Sequence, residues 1–416
     1  MNPFPRILRV RQSFPQSAPV DIGTTLDAEF EKLRGRIRPG ARIAVGVGSR
    51  GITQLARIVA AVIDQLHKAG AQPFIIPAMG SHGGATPEGQ REVLASYGIT
   101  EESMGVPIHA SLEVRQIGES ADGIPVFCST EALAADGVVL VNRIKPHTDF
   151  FGTLGSGLLK MSVIGLGKRT GAIAMHQAAM RLGYERVIRG MAAVVLQNAP
   201  VLGGVAILEN QCQEIARLVV LPRELMETAE DALLLEARSL MPLLPFEEID
   251  LLIVDCIGKN ISGAGMDPNV IGRSIHGYSS MLGRDDRPAP FIRRIFVRGL
   301  TAETHGNAVG IGMADIITTR LVREMNSRIT FLNALTALTP QSAKVPIHCE
   351  TDREAIGLML DTLGTASPRI VRIADTLSLV EMELSEALWD EMASRPELTA
   401  IGKARDMSFG ADGNLP

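Results

Sequence analysis

Short apolar runs that alternate with amphipathic segments dominate the first quarter of the chain, and they constrain its fold more than any other feature. Residues 43–47 and 73–78 have the composition of buried strands, and the spacing of apolar residues predicts helices over about 52–69 and 87–97. Strand, loop and helix thus follow one another twice, which is typical of an open and mostly parallel sheet. Ligands bind such sheets at the carboxyl ends of the strands.

A second set of elements follows a predicted long helix and linker over residues 222–248. Strands are predicted at about 249–257 and 294–298, and helical stretches at 311–325 and 352–363. These elements are sufficient for another sheet with its own helices, so we place a lobe boundary near residue 240.

The length of 416 residues allows two or three domains at about 100–200 residues each. We predict an α/β fold of two lobes, each a mostly parallel sheet flanked by helices, with the active site in the cleft between them. Residues 1–240 are assigned to an N-terminal catalytic and cofactor domain. Residues 241–416 are assigned to a C-terminal α/β domain that closes the cleft.

Composition excludes several classes of protein. The net charge of −5 argues against a nucleic-acid or anionic membrane surface as the main partner, and aromatic residues, at 4 %, are too few for base stacking. No run of about 18 apolar residues predicts a membrane span. The four cysteines are far apart and form no C-x-x-C pair. A reducing cytoplasm is therefore the predicted location.

The segment 141–176, VNRIKPHTDFFGTLGSGLLKMSVIGLGKRTGAIAMH, contains the most reactive side chains. It follows a predicted buried strand at 137–142 and includes His147, Lys160 and His176. An imidazole can bind a metal or transfer a proton, and a desolvated lysine amine is a nucleophile. The many glycines would let the backbone approach a ligand closely. We interpret this segment as one wall of an active site.

Two further motifs follow strands in the first lobe. Gly46-x-Gly48-x-x-Gly51 matches a dinucleotide fingerprint by position, but the acidic residue expected about 20 positions later is missing. A phosphate at this helix N-terminus, with Arg50 as a bidentate partner, is the favoured interpretation, and a tight turn with a surface arginine is the alternative. His82 lies in SHGGATPEG after the second strand. The sequence GLGKRTG lacks the order of residues in a triphosphate-binding loop.

The same three histidines, His82, His147 and His176, suggest a second chemistry. Three imidazoles can bind a catalytic zinc ion, which would support hydrolase or lyase activity. The sequence has neither H-x-x-x-H nor H-E-x-x-H spacing at these positions, so the zinc interpretation is the weaker one.

Taken in order, these motifs resemble the nickel-pincer-nucleotide-dependent lactate racemase family. The resemblance rests on Arg50, on SHGG with His82, on KPH with His147, on GLLKMSVIGLG with Lys160, and on MH with His176. It covers most of the first lobe strongly and the second lobe loosely, and the block from Lys160 to His176 is its most specific part.

The resemblance implies a cofactor and a role for each of these residues. The cofactor is a thiolated pyridinium mononucleotide that holds nickel through a sulfur–carbon–sulfur pincer, and separate maturation proteins make it. Lys160 would form the covalent thioamide link, His176 would be the protein ligand to nickel, and His82 and His147 would be paired acid/bases. Residues implied to contact the cofactor phosphate are Ser49, Arg50 and Gly51.

The implied activity is that of an isomerase, a racemase or epimerase of a 2-hydroxy acid. One histidine takes the hydroxyl proton while hydride moves to the cofactor, which gives a bound 2-keto acid. Hydride then returns to the other face. Inversion requires two bases on opposite faces, each with a pKa near the working pH.

The chain departs from the family at three points. Family members usually have an Asp shortly before the arginine of the turn, and none precedes Arg50 here. The span from His147 to Lys160 is a few residues longer than in lactate racemase itself. The Gln and Lys that the family places in the second lobe are not evident. Asn269 and Arg273 occupy the loop where substrate contacts are expected. We therefore predict a different or larger 2-hydroxy acid than lactate. A cofactor-free binding protein of the same fold remains the alternative, and the sequence does not indicate the oligomeric state.

Overall fold

The computed structural model describes residues 4–48, 51–80, 82–275 and 290–416. Contacts between Cα atoms divide the chain into two compact units. The first unit is Ser17–Met241, and the second consists of the N-terminal segment up to Gln16 together with Pro242–Pro416. The sequence analysis assigned the N-terminal segment to the first domain, which is wrong, because its strand pairs with strands near the carboxyl end of the chain.

The described residues contain the following strands: β1 (Arg6–Gln12), β2 (Arg42–Val47), β3 (Gln72–Pro77), β4 (Val114–Glu119), β5 (Pro125–Ser129), β6 (Gly137–Arg143), β7 (Val201–Glu209), β8 (Ile215–Pro222), β9 (Glu248–Ile257), β10 (Phe291–Leu300), β11 (Ile316–Thr318), β12 (Ile347–Cys349), β13 (Ile370–Ile373), β14 (Glu381–Ser385), β15 (Leu398–Ala400) and β16 (Arg405–Asp406).

The α-helices of the same residues are α1 (Ile22–Glu29), α2 (Glu31–Arg34), α3 (Leu55–Lys68), α4 (Pro87–Ser96), α5 (Glu101–Met104), α6 (Thr130–Leu133), α7 (Leu158–Lys160), α8 (Leu166–Leu182), α9 (Tyr184–Asn198), α10 (Met226–Ser239), α11 (Pro268–Ile271), α12 (Thr319–Glu324), α13 (Ser327–Thr336), α14 (Asp352–Leu363) and α15 (Trp389–Ala393). Within the described ranges, no helix is long and apolar enough to cross a membrane.

The main sheet of the first unit has the strand order β3-β2-β6-β7-β8. All neighbouring pairs are parallel except β7 and β8. Val45 of β2 is aligned with Ile75 on one side and Val139 on the other, and all three are fully buried. Because β3, β2 and β6 run in the same direction, the loops that follow them leave the sheet at one edge.

The segment that carries Lys160 and His176 is helical, and its glycines pack against protein rather than facing a ligand. A π-helical turn, Met161–Gly165, joins α7 to α8. A Cβ atom on Gly165 would lie 2.7 Å from the carbonyl oxygen of Ala78. The interpretation of these glycines as a ligand-facing backbone is therefore wrong for Gly165, which lets the helix approach the end of β3.

Lys168 breaks α8 sharply. Its backbone has φ 54° and ψ −152°, a conformation that residues other than glycine rarely adopt. The side chain is fully buried, and Nζ donates a hydrogen bond to the carbonyl oxygen of Pro77, the last residue of β3. Burial lowers the pKa of this amine to about 8. The break is thus fixed to the strand that leads to His82.

We expect the backbone strain at Lys168 to be measurable with two substitutions. Both K168A and K168G remove the amine, but only glycine adopts this conformation without steric cost. K168G should therefore be more stable than K168A by about 1–2 kcal/mol. This difference is the backbone strain that glycine relieves, reduced by the greater conformational entropy that glycine loses on folding. Urea unfolding at fixed pH measures the difference. Equal stability of the two variants would show that the conformation is unstrained.

The second unit is built on a mixed sheet. The described strands follow the order β12-β11-β10-β9-β13-β14-β1-β15, with β16 also paired to β1. The strands from β12 to β13 are parallel, and β14, β1 and β15 are antiparallel to their neighbours. The prediction of a helical stretch at 311–325 is partly wrong, because β11 lies inside it. With these sheets the predicted α/β fold is confirmed.

A buried carboxylate holds the helices of the second unit to its sheet. The Asp352 side chain is completely buried and forms ion pairs of 2.7 Å with both Arg298 of β10 and Arg320 of α12. Since a buried charge is costly without partners, both arginines are needed to keep this carboxylate in place.

Candidate active site

The structure brings His147, Lys160 and His176 together. His147 lies in the loop after β6, Lys160 ends α7, and Lys160 Nζ contacts His147 Nε2. The ring centroids of His147 and His176 each lie about 6 Å from that of Tyr184, at 6.0 Å and 5.9 Å. Sixteen residues of straight helix would separate Lys160 and His176 by about 24 Å. The break at Lys168 therefore allows the two side chains to share one site.

Hydrogen bonding defines which nitrogen of His147 is available for chemistry. The backbone N–H of Asp149 donates to His147 Nδ1 at 3.0 Å. A neutral imidazole then carries its proton on Nε2, the atom that contacts the Lys160 amine.

Aromatic side chains fix both imidazoles. Phe150 stacks on His147 with ring centroids 4.5 Å apart, and Tyr184 stacks on Phe150 at 5.0 Å. Tyr184 also meets His176 edge-on, with its hydroxyl oxygen 3.5 Å from His176 Nδ1. Stacked and edge-to-face aromatic pairs contribute about 0.5–1.5 kcal/mol each beyond their burial. The orientation of each ring is therefore determined by its neighbours.

Burial keeps His176 neutral. Desolvation lowers the pKa of His176 to about 4, opposed by the charge of Asp149 and reinforced by that of Lys160. Desolvation likewise raises the pKa of the Tyr184 phenol, which stays protonated. A neutral imidazole has a lone pair on one nitrogen at physiological pH, so His176 is able to bind a metal ion.

His82 occupies the exposed loop after β3. Between β3 and β6 lies β2, and neighbouring strands are about 4.8 Å apart. The loops that carry His82 and His147 therefore leave the sheet about 10 Å apart on the same edge.

Ser49 and Arg50, predicted to contact a phosphate, lie outside the described residues. Gly51 is exposed, and its carbonyl oxygen accepts a hydrogen bond of 3.4 Å from Arg143. Arg143 also pairs with Glu209, whose other oxygen accepts the backbone N–H of Thr53 at 2.6 Å. The sequence analysis did not identify this ion pair, which anchors the segment directly after the predicted phosphate turn.

Asn269 and Arg273, predicted to contact the substrate, make structural contacts in the second unit. The Asp267 carboxylate accepts both the backbone and the side-chain N–H of Asn269. The Arg273 guanidinium donates to Asp315 at 2.6 Å and to the carbonyl oxygen of Met313 at 2.8 Å. These contacts tie Arg273 to the structure around the amino end of β10, and we do not include either residue in the proposed site.

Glu230 is a buried acid beside the site that sequence reasoning missed. One carboxylate oxygen accepts the backbone N–H groups of Leu158 and Leu159 at 2.8 Å and 3.1 Å. Desolvation raises the pKa of Glu230 to about 7, although these two hydrogen bonds lower it. A signal was present, because Glu230 shares the buried face of α10 with Met226 and Leu233.

The raised pKa of Glu230 gives a test of this description. The native protein keeps a proton that the unfolded chain releases between about pH 4.5 and 7, so wild-type stability falls as the pH rises through this range. The glutamine of E230Q has nearly the shape of the protonated carboxyl group, and it cannot ionise. We expect its stability relative to wild type to be about 2 kcal/mol higher at pH 8 than at pH 5 in urea unfolding. The same difference at both pH values would contradict the raised pKa.

No group of three or more His, Cys, Asp or Glu side chains could hold a metal ion among the residues that the structure describes. The three-histidine zinc hypothesis therefore gains no support from this part of the chain. A metal ion at His176 would require further ligands from other molecules or from residues beyond those described.

Comparison with known proteins is consistent with this geometry. Residues 21–186 match the family model of the lactate racemase N-terminal domain. The resemblance to the lactate racemase family that the sequence motifs indicated is thereby confirmed for most of the first unit. No curated protein matches the chain significantly.

Two solved structures share the fold. The lactate racemase apoprotein from Thermoanaerobacterium thermosaccharolyticum has a TM-score of 0.56 and 16 % sequence identity, over 90 % of this chain and 99 % of that chain. A protein from Thermotoga maritima has a TM-score of 0.51 and 13 % identity, over 79 % of this chain and 84 % of that one.

Proposed function

We propose that this protein is a racemase or epimerase of a 2-hydroxy acid that uses a nickel-pincer nucleotide. The lactate racemase N-terminal domain supports a racemase-like function in general. The observation that carries the specific proposal is the meeting of His147, Lys160 and His176 at the carboxyl edge of the sheet. An acid/base, a nucleophilic amine and a neutral metal-binding imidazole are thus neighbours.

The donor set suits this cofactor. His176 offers one neutral imidazole, and no cluster of further metal-binding side chains accompanies it in the described residues. A nickel ion whose remaining ligands are sulfur and carbon atoms of a nucleotide needs only one such protein ligand. Lys160 would hold the nucleotide covalently through its amine, which lies against His147 Nε2. When bound, the cofactor supplies a reversible hydride acceptor next to a Lewis-acidic metal.

The chain itself would handle the proton and orient the substrate. His147 has Nδ1 engaged by Asp149, so its neutral form carries a proton on Nε2, which it would donate to a substrate oxygen as the general acid. His82 would act from the side of the substrate opposite His147. The loop that carries His82 leaves the sheet two strands away from the loop that carries His147. Paired bases on opposite sides of the substrate carbon permit inversion in either direction.

Lys160→Ala tests the covalent attachment. Protein from a host that makes the cofactor should carry the mass of one thiolated mononucleotide on the peptide that contains Lys160, with about one nickel ion per chain. K160A has no amine to form this bond, so we expect it to lack both the added mass and the nickel. Intact-protein and peptide mass spectrometry with metal analysis measures both quantities.

K68A is the matched control, since Lys68 lies on α3, is exposed and pairs with Asp27. It should retain the cofactor. Normal nickel and the normal mass addition in K160A would overturn the proposed role of Lys160. An unmodified wild-type protein without nickel, despite proven cofactor supply, would favour the cofactor-free binding protein. An unmodified protein with tightly bound zinc would favour the hydrolase or lyase.

Substitution of the two proposed acid/bases should separate binding from turnover. H82A and H147A should keep nickel, but inversion of the substrate should slow by about 10²–10⁴-fold, as is typical when a positioned acid/base is removed. Chiral chromatography over a panel of 2-hydroxy acids measures the rate of inversion. H67A is the control variant, because His67 lies exposed on α3. Full activity in both variants would remove these histidines from the mechanism.

The substrate, the maturation proteins and a cytoplasmic location stay predictions of the sequence. The departures from the family, including the missing Asp before Arg50, favour a 2-hydroxy acid other than lactate. The substrate panel therefore includes larger aliphatic and aromatic members as well as lactate.

A further inference from the structure

An acidic residue on the buried face of α10 supports the turn that presents Lys160. Glu230 is 1 % exposed, and its neighbours on that face, Met226, Leu233 and Leu234, are apolar. A carboxyl group in such surroundings is destabilising unless it makes hydrogen bonds. Its position therefore requires an explanation that apolar packing does not give.

The contacts of Glu230 converge on the start of α7. Its Oε2 accepts the backbone N–H groups of both Leu158 and Leu159, the residues directly before Lys160. The first N–H groups of a helix have no partner within the helix, so an acceptor here fixes the first turn. Lys160 follows in the same turn, and its amine contacts His147.

The neighbouring residues are shaped around this carboxyl group. A Cβ atom on Gly157 would collide with Glu230 Oε1, so a larger residue at that position would displace the carboxyl group. Asn142 at the end of β6 donates a hydrogen bond of 2.9 Å to the carbonyl oxygen of Gly157. The turn before Lys160 is thus held by α10 on one side and by the strand that leads to His147 on the other.

Glu230 Oε1 has no hydrogen-bond partner in the part of the chain that the structure describes. The protein therefore uses one oxygen of the carboxyl group and leaves the other in an apolar environment. A residue kept only for stability would gain from an apolar replacement. The retained acceptor indicates a role in the placement of the turn.

We propose that Glu230 is a positioning residue that holds Lys160 against His147 by fixing the backbone of Leu158 and Leu159. This inference rests on the proposed function, in which Lys160 carries the cofactor. Glu230 touches neither cofactor nor substrate in this scheme. It acts through the turn, and the reach of its side chain matters more than its charge.

Four variants separate reach from charge. E230Q keeps a carbonyl oxygen at the same distance, E230D retracts the carboxylate by one methylene group, and E230A removes it. D231N is the matched control. Asp231 lies on the exposed side of the same helix and pairs with Arg189, so its substitution leaves the two hydrogen bonds to Glu230 intact. Each full-length apoprotein is treated briefly with acetic anhydride, and peptide mass spectrometry gives the acetylation rate of every lysine.

The rate at Lys160, divided by the rates at lysines of the second unit, reports how firmly the turn is held. Loss of a buried hydrogen bond should release the turn and raise this ratio roughly tenfold in E230A and E230D. E230Q and D231N should match wild type. Circular dichroism confirms that each variant is folded, and a variant with uniformly faster acetylation is unfolding rather than releasing one turn.

Two outcomes would overturn the proposal. One is a wild-type ratio in E230A and E230D, which would show that the turn holds without the acceptor. The other is a ratio in E230Q as high as in E230A, which would show that the carboxylate charge matters instead of the acceptor position. Because the measurement uses apoprotein, it succeeds or fails independently of nickel, and an unmodified wild-type protein from a cofactor-making host would overturn only the proposed function.

Discussion

The break of α8 at Lys168 is the constraint on which the geometry of the candidate site depends. Without it, Lys160 and His176 would lie at opposite ends of a rod about 24 Å long. The strained backbone persists because the buried amine donates to Pro77 and because Gly165 lets the helix approach Ala78. The same contacts bind the helix to the end of β3, so the loop of His82 and the helix of His176 share one anchor. Strain at one residue thus brings three chemical groups to one edge of the sheet.

A second anchor acts at the other end of this segment. Glu230 fixes the first turn, and the stacked rings of Phe150 and Tyr184 fix His147 and His176 from the side. Each contact comes from a different part of the chain, so independent contacts hold the arrangement in place. Rigid placement is what acid/base chemistry and covalent attachment both require, because misplacement of a reacting group by about 1 Å can cost two orders of magnitude in rate.

The sequence predicts local features well and long-range contacts poorly. The alternation of apolar runs located β2, β3 and β6, and the position of His82 and His147 after strands followed from it. The pairing of β1 with β14 and β15 could not be found, because it joins residues at least 370 positions apart. The bend at Lys168 has no signal, since lysine is a good helix former. The glycine-rich segment was misread because glycine permits close packing against protein as readily as against a ligand.

Desolvation gives the buried groups around the site a common electrostatic character. It lowers the pKa of the bases Lys168 and His176, and it raises the pKa of the acids Glu230 and Tyr184. Each shift favours the neutral form, and for His176 and Tyr184 it leaves the side chain uncharged at neutral pH. Fixed dipoles in a medium of low dielectric constant stabilise charge that develops during a reaction, and they need no reorganisation to do so. His176 and Tyr184 therefore present fixed dipoles rather than charges to a molecule that binds beside them.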